Sequence, residues 1–272
     1  MTRHLNKDTI VCMSLSARPS NFGTRFHNYL YDALDLDYLY KAFATDDIHG
    51  AIAGVRALRI RGCAISMPFK EAVIPLVDEL DASARVIDSV NTVVNSDGYL
   101  KAYNTDYLAI YQLLEQYAVN PELPFILQGS GGMAKAVAAA FQARGFRNGT
   151  IVARNAARGQ ALAAQYGYQW AAGCGDLRAA ILVNATPLGM AGAVEASQLA
   201  FSEQLIHSAE VVFDVVAMPA RTPLIEAAQR QNKCVITGAE VFAIQAVEQF
   251  VLYTGIRPQE DLFQAAAAYA RG

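Results

Sequence analysis

The chain has 272 residues, of which 53% are hydrophobic, so it can form one large domain or two of ordinary size. The net charge of −3 argues against a nucleic-acid partner, and apolar runs stay far below the roughly 18 residues of a membrane span. Because there is no CxxC pair and no signal-peptide stretch, we expect a cytoplasmic protein with reduced thiols and no metal site.

Predicted strands and helices alternate through the first half of the chain. The predicted strands are "TIVCMSL", "DYLYKAFA" and "IRGCAISMP", and the predicted helices are "RFHNYLYDAL", "DIHGAIAGVRAL" and "EAVIPLVDEL". A hairpin is predicted for "SVNTVVNSDGYLKAYNTD", with its turn at Asp97-Gly98. This alternation indicates βαβ units and a largely parallel sheet.

The same alternation continues in the second half. A helix from Tyr107 to about Ala118 is followed by "NPELP", a break that contains two prolines. Strands are then predicted in "FILQ", "GTIVARN", "AAILVNATPLGM", "EVVFDVVAMP" and "KCVIT", with a helix after the first and a long helix after the last. We therefore predict two α/β domains, the first ending near Asp106 and the second near Gly238.

The turn "GSGGMA" follows a predicted strand and opens a predicted helix. It fits G-x-G-x-x-G/A, and this context favours a dinucleotide site over an ordinary glycine-rich turn. Gly129 permits the tight turn, Gly131 lets the backbone approach a pyrophosphate, and Ala134 permits close helix–sheet packing. The helix N-terminus offers free N–H groups to the phosphates. The predicted contacts are Gly129, Ser130, Gly131, Gly132, Met133 and Ala134.

The next strand indicates which dinucleotide binds. A NAD site usually ends this strand with an acidic residue that accepts from the ribose 2′-OH, but "VARNAARG" contains none. Arg154 and Arg158 carry guanidinium groups suited to a 2′-phosphate. We therefore expect NADP, the alternative being two arginines on a solvated helix start.

Several apolar segments of the first half end in polar residues. In parallel α/β folds, ligands bind beyond the carboxyl ends of the strands. Lys70 and Asp106 are the charged members of this set. A lysine desolvated in such a cleft has a lowered pKa and can act as acid or base. Lys70 could instead begin a helix on the solvent side. The uncharged members, which suit a small polyhydroxylated ligand, are Ser14, Ser16, Ser66, Asn91, Thr92 and Asn104.

Together these motifs resemble the shikimate dehydrogenase family, over nearly the whole chain. "SLS" resembles its serine pair, "SMPFK" its N-V-T-x-P-[FY]-K segment, and "SVNT" and "YNTD" its A-V-N-T and N-T-D motifs. "GSGGMA" resembles its diglycine turn and "ARNAAR" its N-R-T-x-x-R motif. "VNATPLGM", "DVVAMPARTPL" and the helix with Gln245 match further segments.

The resemblance implies an NADP-dependent oxidoreductase of the shikimate pathway, in aromatic amino acid biosynthesis. It would transfer hydride reversibly between NADP and the ring alcohol or ketone of shikimate and 3-dehydroshikimate. Lys70 would be the catalytic lysine and Asp106 its partner. The implied substrate contacts are Ser14, Ser16, Ser66, Asn91 and Gln245. The implied cofactor contacts beyond the glycine turn are Arg154, Arg158, Thr186 and Gly238.

The resemblance also implies a discontinuous substrate domain, residues 1–106 with 239–272, around a Rossmann-type NADP domain, residues 107–238. The chain would be a monomer or homodimer.

Several departures from the family pattern indicate a divergent branch. They leave three alternatives open: low turnover of shikimate; the same chemistry on quinate, aminoshikimate or another cyclic hydroxy acid; or a non-catalytic NADP-binding sensor or assembly protein. Intact Lys70 and Asp106 argue against the sensor. The departures are Ala64 for asparagine, Ser66 for threonine, Ala153 for asparagine, Ala217 for tyrosine, and Glu240 and Val241 for glycine and methionine.

Overall fold

The computed structural model describes residues 5–192 and 194–271 of the protein, which fall into two compact units. The first unit contains the chain through Thr105 and the segment from Ala243 onward, and the second is Asp106–Phe242. The predicted α/β fold, with C-terminal helices that return to the first half of the chain, is confirmed. Within the described ranges, no helix is both long and apolar enough to cross a membrane.

Strands and helices alternate through most of the chain. The strands are β1 (Ile10–Ser16), β2 (Tyr38–Ala44), β3 (Gly62–Ile65), β4 (Glu79–Leu80), β5 (Thr92–Ser96), β6 (Tyr99–Tyr103), β7 (Phe125–Gln128), β8 (Gly149–Val152), β9 (Gln169–Ala171), β10 (Ile181–Asn184), β11 (Val211–Asp214) and β12 (Cys234–Thr237). The α-helices are α1 (Phe22–Ala33), α2 (Ile48–Ala57), α3 (Ala82–Arg85), α4 (Thr105–Gln116), α5 (Gly132–Ala143), α6 (Ala156–Tyr166), α7 (Glu203–Ser208), α8 (Pro223–Arg230), α9 (Gly238–Thr254) and α10 (Glu260–Arg271).

The sheet of the first unit is mixed, with the order β2-β1-β3-β5-β6-β4. β1 runs parallel to β2 and β3, and β5 runs antiparallel to β3 and β6. Side chains alternate along β1, so Cys12 packs with Phe250 of α9 while Met13 enters the core on the opposite face. Ser14 and Ser16 therefore share the Cys12 face.

The sheet of the second unit is parallel throughout, with the order β12-β11-β10-β7-β8-β9. Its central strands are buried almost completely, which explains the continuous apolar runs "FIL", "ILV" and "VVF". Because the strands are parallel, the turns that lead from β7 into α5 and from β8 into α6 lie at the same edge.

The prediction of a helix for "EAVIPLVDEL" is wrong. This segment forms a 3₁₀ turn over Ile74–Leu76 and then strand β4. Pro75 has no N–H group to continue an α-helix. The Asp78 N–H donates to the Leu100 carbonyl at 2.9 Å, and the Asp78 carboxylate pairs with Arg56 at 2.7 Å. These contacts hold the segment next to β6.

Candidate active site

Three neighbouring strands of the first sheet carry polar residues at one end. The N–H of Ser66, which follows β3, donates to the carbonyl of Leu15 in β1 at 2.9 Å. On the other side of β3, the Ile65 N–H donates to the Asn91 carbonyl at 2.8 Å. Ser16, Ser66 and Asn91 therefore lie at the same edge.

Two buried polar atoms at this edge have no hydrogen-bond partner among the described residues. They are Ser16 Oγ and Asn91 Nδ2, and their residues are only 6% and 3% exposed. A buried polar group left unpaired costs about 1–3 kcal/mol. A polar ligand that bonds to these atoms would recover that free energy, so both are suited to hold a ligand.

Asn91 and Gln245 converge on Thr105, the first residue of α4. Asn91 Oδ1 accepts from the Thr105 N–H at 2.8 Å, and the Thr105 hydroxyl lies 3.3 Å from Gln245 Oε1. Gln245 is buried on α9, which lies 140 residues further along the chain. The first unit thus brings together two of the residues that the sequence predicts as substrate contacts.

Lys70 reaches this edge through a tight turn after β3. The Phe69 N–H donates to the Ser66 carbonyl at 3.0 Å, and the Phe69 ring is buried in the core. The Lys70 carbonyl accepts from the Val90 N–H at 2.8 Å, which holds its main chain next to the residue before Asn91. The side chain is partly buried, and the segment is a turn rather than the start of a solvent-exposed helix.

Asp106 is buried in the first turn of α4. It directly follows Thr105 in the chain but belongs to the second unit. Its pairing with Lys70 stays a prediction.

The glycine turn links β7 to α5. Gly129 has a φ of 127°, and a Cβ there would lie 2.8 Å from the Ala185 carbonyl oxygen, so only glycine fits. Gly131 and Gly132 are exposed at the N-terminus of α5, and a Cβ on Gly131 would meet nothing within 4 Å. Ala134 is fully buried, as close helix packing requires. The partly buried turn residues are Ser130 and Met133.

Arg154 and Arg158 are both exposed, on the loop after β8 and the first turn of α6. Asn155 lies between them and caps α6, because its Oδ1 accepts from the Arg158 N–H at 3.0 Å. The cap fixes the main chain near both arginines. Two exposed guanidinium groups at a helix N-terminus suit a phosphate group.

Thr186 and Gly238 follow β10 and β12 at the carboxyl edge of the second sheet. The Thr186 hydroxyl and N–H donate to Asn184 Oδ1 at 2.6 and 3.0 Å. Gly238 begins α9, where a Cβ would collide with the main chain of Val216. Both residues therefore lie where parallel α/β sheets bind their ligands.

Similarity to known proteins is extensive. Residues 21–93 match the family described as the shikimate dehydrogenase substrate binding domain. A shikimate dehydrogenase-like protein of Haemophilus influenzae is 57% identical, over 98% of this chain and 98% of that protein. The chain belongs to the shikimate dehydrogenase family.

Two further members of the shikimate dehydrogenase family are informative. Shikimate dehydrogenase (NADP(+)) of Chlorobium phaeobacteroides is 36% identical, over 84% of this chain and 85% of that protein. The structure of shikimate 5-dehydrogenase from Thermus thermophilus, in complex with NADP(H) and shikimate, matches with a TM-score of 0.86 at 27% identity. That match covers 96% of this chain and 99% of the other. The predicted family is therefore confirmed.

Glu240, which departs from the glycine of the shikimate dehydrogenase pattern, has a structural explanation. Glu240 closes a capping box at the start of α9, because its Oε2 accepts from the N–H and hydroxyl of Thr237 at 2.8 and 2.6 Å. Its Oε1 accepts from the Tyr117 hydroxyl at 2.6 Å. Burial, and then this bond, raise the pKa of Tyr117. Glu240 thus fixes the first turn of the helix that carries Gln245.

Sequence reasoning missed a buried polar network in the second unit. Asn184 Nδ2 donates to Asp214 Oδ1 at 3.0 Å, and the Thr222 hydroxyl donates to Asp214 Oδ2 at 2.6 Å. The Val216 N–H also donates to Oδ1, at 3.1 Å. Burial raises the pKa of Asp214 to about 6, against the opposing effect of these three bonds. The sequence signal for this network is a polar residue at the end of each of two apolar strands, Asn184 in β10 and Asp214 in β11.

Proposed function

We propose that this chain catalyses the reversible, NADP-dependent oxidation of a ring secondary alcohol, with shikimate and 3-dehydroshikimate as the first candidate pair. The convergence of Ser16, Asn91 and Lys70 at one edge of the first sheet, with two unpartnered buried polar atoms, carries this proposal. We assign substrate binding to the first unit and cofactor binding to the second.

The turn residues of the second unit fit NADP. The open space over Gly131 and the exposed N-terminus of α5 suit a pyrophosphate. Arg154 and Arg158 would hold the 2′-phosphate, and Thr186 and Gly238 would line the site further along the sheet edge. When bound, NADP supplies the acceptor for the hydride that leaves the alcohol carbon.

The polar residues of the first unit would hold the substrate. Ser14 and Ser16 would bind the ring carboxylate, and Ser66, Asn91 and Gln245 would bind ring hydroxyls. These groups are neutral, so they can be partly buried without the cost of an unpaired charge.

Lys70 would accept the hydroxyl proton during oxidation and return it during reduction. Its carbonyl bond to Val90 fixes its main chain next to Asn91, which would limit the positions that the ammonium group can take. Asp106 would bond to the same hydroxyl and orient the lysine.

A relative of shikimate is the second candidate substrate, and Ala64 favours it. Ala64 pairs in register with Ser14, so its side chain is on the same face of the sheet. The family pattern has an asparagine there. A lost hydrogen bond to a buried substrate hydroxyl costs about 1–3 kcal/mol. We therefore expect low turnover of shikimate, or better turnover of quinate, aminoshikimate or another cyclic hydroxy acid.

The test is a spectroscopic assay of NADP+ reduction with shikimate, quinate, aminoshikimate or no substrate, and with NAD+ in parallel. We expect turnover of at least one ring acid with a preference for NADP+. Lys70→Ala should lower kcat by about 10²- to 10⁴-fold. Lys101→Ala is the control, since Lys101 pairs with Glu79 elsewhere in the first unit.

Two results would contradict the proposal. Undiminished activity of Lys70→Ala would overturn the role of the lysine. A wild-type protein that binds NADP but turns over none of the ring acids would favour a non-catalytic NADP-binding sensor.

A further inference from the structure

The side-chain amide of Asn91 is held in one orientation. Its Oδ1 accepts from the Thr105 N–H at 2.8 Å and from the Thr92 hydroxyl at 2.9 Å. A main-chain N–H can only donate, so the amide atom that faces Thr105 must be the oxygen. The Nδ2 group is therefore left as a donor, and this buried group has no partner among the described residues.

Gln249 controls the direction of the Thr92 hydroxyl. Gln249 Nε2 donates to Thr92 Oγ1 at 3.0 Å and to the Asn91 carbonyl at 3.3 Å. An amide nitrogen has no acceptor lone pair, so the hydroxyl accepts from Gln249 and its single proton remains available for Asn91 Oδ1. All three side chains are buried, at 5%, 0% and 3% exposed for Gln249, Thr92 and Asn91.

These contacts form a directed chain from Gln249 through Thr92 to Asn91. Reversal of the Asn91 amide would bring its NH₂ group against the Thr105 N–H, two donors that cannot bond to each other. The bonds to Asn91 Oδ1 therefore fix the orientation of the amide and leave its Nδ2 group for a ligand.

We propose that Thr92 and Gln249 are positioning residues that present Asn91 to the substrate as a hydrogen-bond donor. The substrate atom opposite Asn91 is then an acceptor, such as a hydroxyl, keto or carboxylate oxygen. An ammonium group at that position is rejected because it has no lone pair. This inference rests on the proposed function, since it takes Asn91 as a substrate contact.

Thr92→Val tests the positioning role. Valine keeps the branched shape in β5 but removes the hydroxyl, so Asn91 is held less firmly. We expect KM for the ring acid to rise about tenfold while kcat and the Kd for NADP change less than twofold. Thr92→Ser restores the hydroxyl and should return KM to within about twofold of the wild-type value.

The matched control is Thr254→Val at the end of α9. The Thr254 hydroxyl also donates one bond, to the Phe250 carbonyl, and accepts one, from the Ile256 N–H. It makes no contact with Asn91 in those bonds, so this variant should keep the wild-type KM. An equal rise of KM in Thr254→Val and Thr92→Val would overturn the positioning role.

Asn91→Asp tests the donor assignment. The carboxylate still accepts from Thr105 and Thr92 but cannot donate, so Kd for the ring acid, measured by calorimetry, should rise at least tenfold. Lower pH should narrow this difference, because a protonated carboxyl regains a donor. An unchanged Kd in Asn91→Asp would overturn the inference.

Measurements on the wild-type protein distinguish a failure of the positioning role from a failure of the proposed function. Wild-type protein that neither binds nor oxidises any ring acid would refute the proposed function. Wild-type turnover together with an unchanged KM in Thr92→Val would refute the positioning role alone.

Discussion

Two glycines of the same turn are needed for different physical reasons. Gly129 is required by the fold, since its positive φ and the nearby Ala185 carbonyl exclude a side chain. Gly131 has an ordinary φ and open space around its missing Cβ. Any requirement for glycine at 131 therefore comes from a ligand rather than from the folded chain.

Gly131→Ala should lower the melting temperature only slightly, through the loss of a favoured N-cap residue of α5, and should weaken NADP binding. A methyl group would stand where the backbone must approach the pyrophosphate, so we expect Kd to rise roughly tenfold or more, about 1.4 kcal/mol. Differential scanning fluorimetry and calorimetric titration with NADP measure the two effects.

Gly173→Ala is the control for this comparison. Gly173 lies in the same unit and also has open space for a Cβ, so neither Tm nor Kd should change. An unchanged Kd for NADP in Gly131→Ala would contradict close approach of the cofactor at this glycine.

Helix α8 is attached to the sheet through its N-cap. Thr222 accepts from the Ile225 N–H at 3.2 Å and donates to the buried Asp214 carboxylate at 2.6 Å. The Thr222 hydroxyl thus caps α8 and stabilises the buried Asp214 carboxylate. Removal of the hydroxyl abolishes both effects.

Thr222→Val should destabilise the second unit by about 2.5–4 kcal/mol. The lost cap contributes about 1 kcal/mol, and the lost bond to a carboxylate contributes about 1.5–3 kcal/mol. Urea unfolding followed by tryptophan fluorescence measures the loss, because the sole tryptophan of the chain, Trp170, lies in β9 of this unit.

Ser202→Ala separates the two contributions. Ser202 caps α7 by accepting from the Leu205 N–H at 3.3 Å, a bond that involves no carboxylate. This variant should lose only about 1 kcal/mol. Equal losses in the two variants would mean that the bond to Asp214 adds nothing to stability.

The structure also indicates which elements can be predicted from sequence. The Asp97-Gly98 hairpin turn forms as predicted, with Ser96 paired to Tyr99 and a positive φ at both turn residues. The apolar runs of the second sheet likewise predict its buried parallel strands. In these cases the signal is local, since neighbouring residues determine the conformation.

Other elements depend on contacts between distant parts of the chain. Asp78 joins the sheet through Leu100 and Arg56, and the Lys70 carbonyl meets the Val90 N–H twenty residues away. Glu240 looked like a loss of the family pattern, but it caps its own helix and bonds to Tyr117. Such pairings require the tertiary fold, so residue types and spacing alone could not predict them.

Acid should destabilise the first unit through His27. The imidazole is buried and stacked on Tyr40, with ring centroids 4.3 Å apart. Burial lowers the pKa of His27 from 6.5 to about 3, against a smaller opposing effect of Gln249. The unfolded chain therefore binds more protons between pH 6.5 and 3, and the first unit loses stability as pH falls through this window.

His27→Phe should make unfolding less sensitive to acid. Phenylalanine can keep the ring stacking but takes up no proton, so the slope of unfolding free energy below pH 6.5 should decrease by about 1.4 kcal/mol per pH unit. Urea titrations followed by far-UV circular dichroism between pH 7 and pH 4 measure the slope.

His49→Phe is the corresponding control, because His49 is exposed in the same unit. Its pH slope should match that of the wild type. A slope in His27→Phe identical to wild type would contradict the acid sensitivity assigned to the buried imidazole.

The discontinuous first unit has a consequence for synthesis on the ribosome. Cys12, Phe26 and Tyr40 share a core with Phe250 and Phe263, which are translated more than 200 residues after Tyr40. All strands of the continuous second unit have been made once Thr237 is added. The nascent chain can therefore complete the later unit first, while the apolar face of the earlier one stays uncovered and open to chaperones until α9 and α10 leave the exit tunnel.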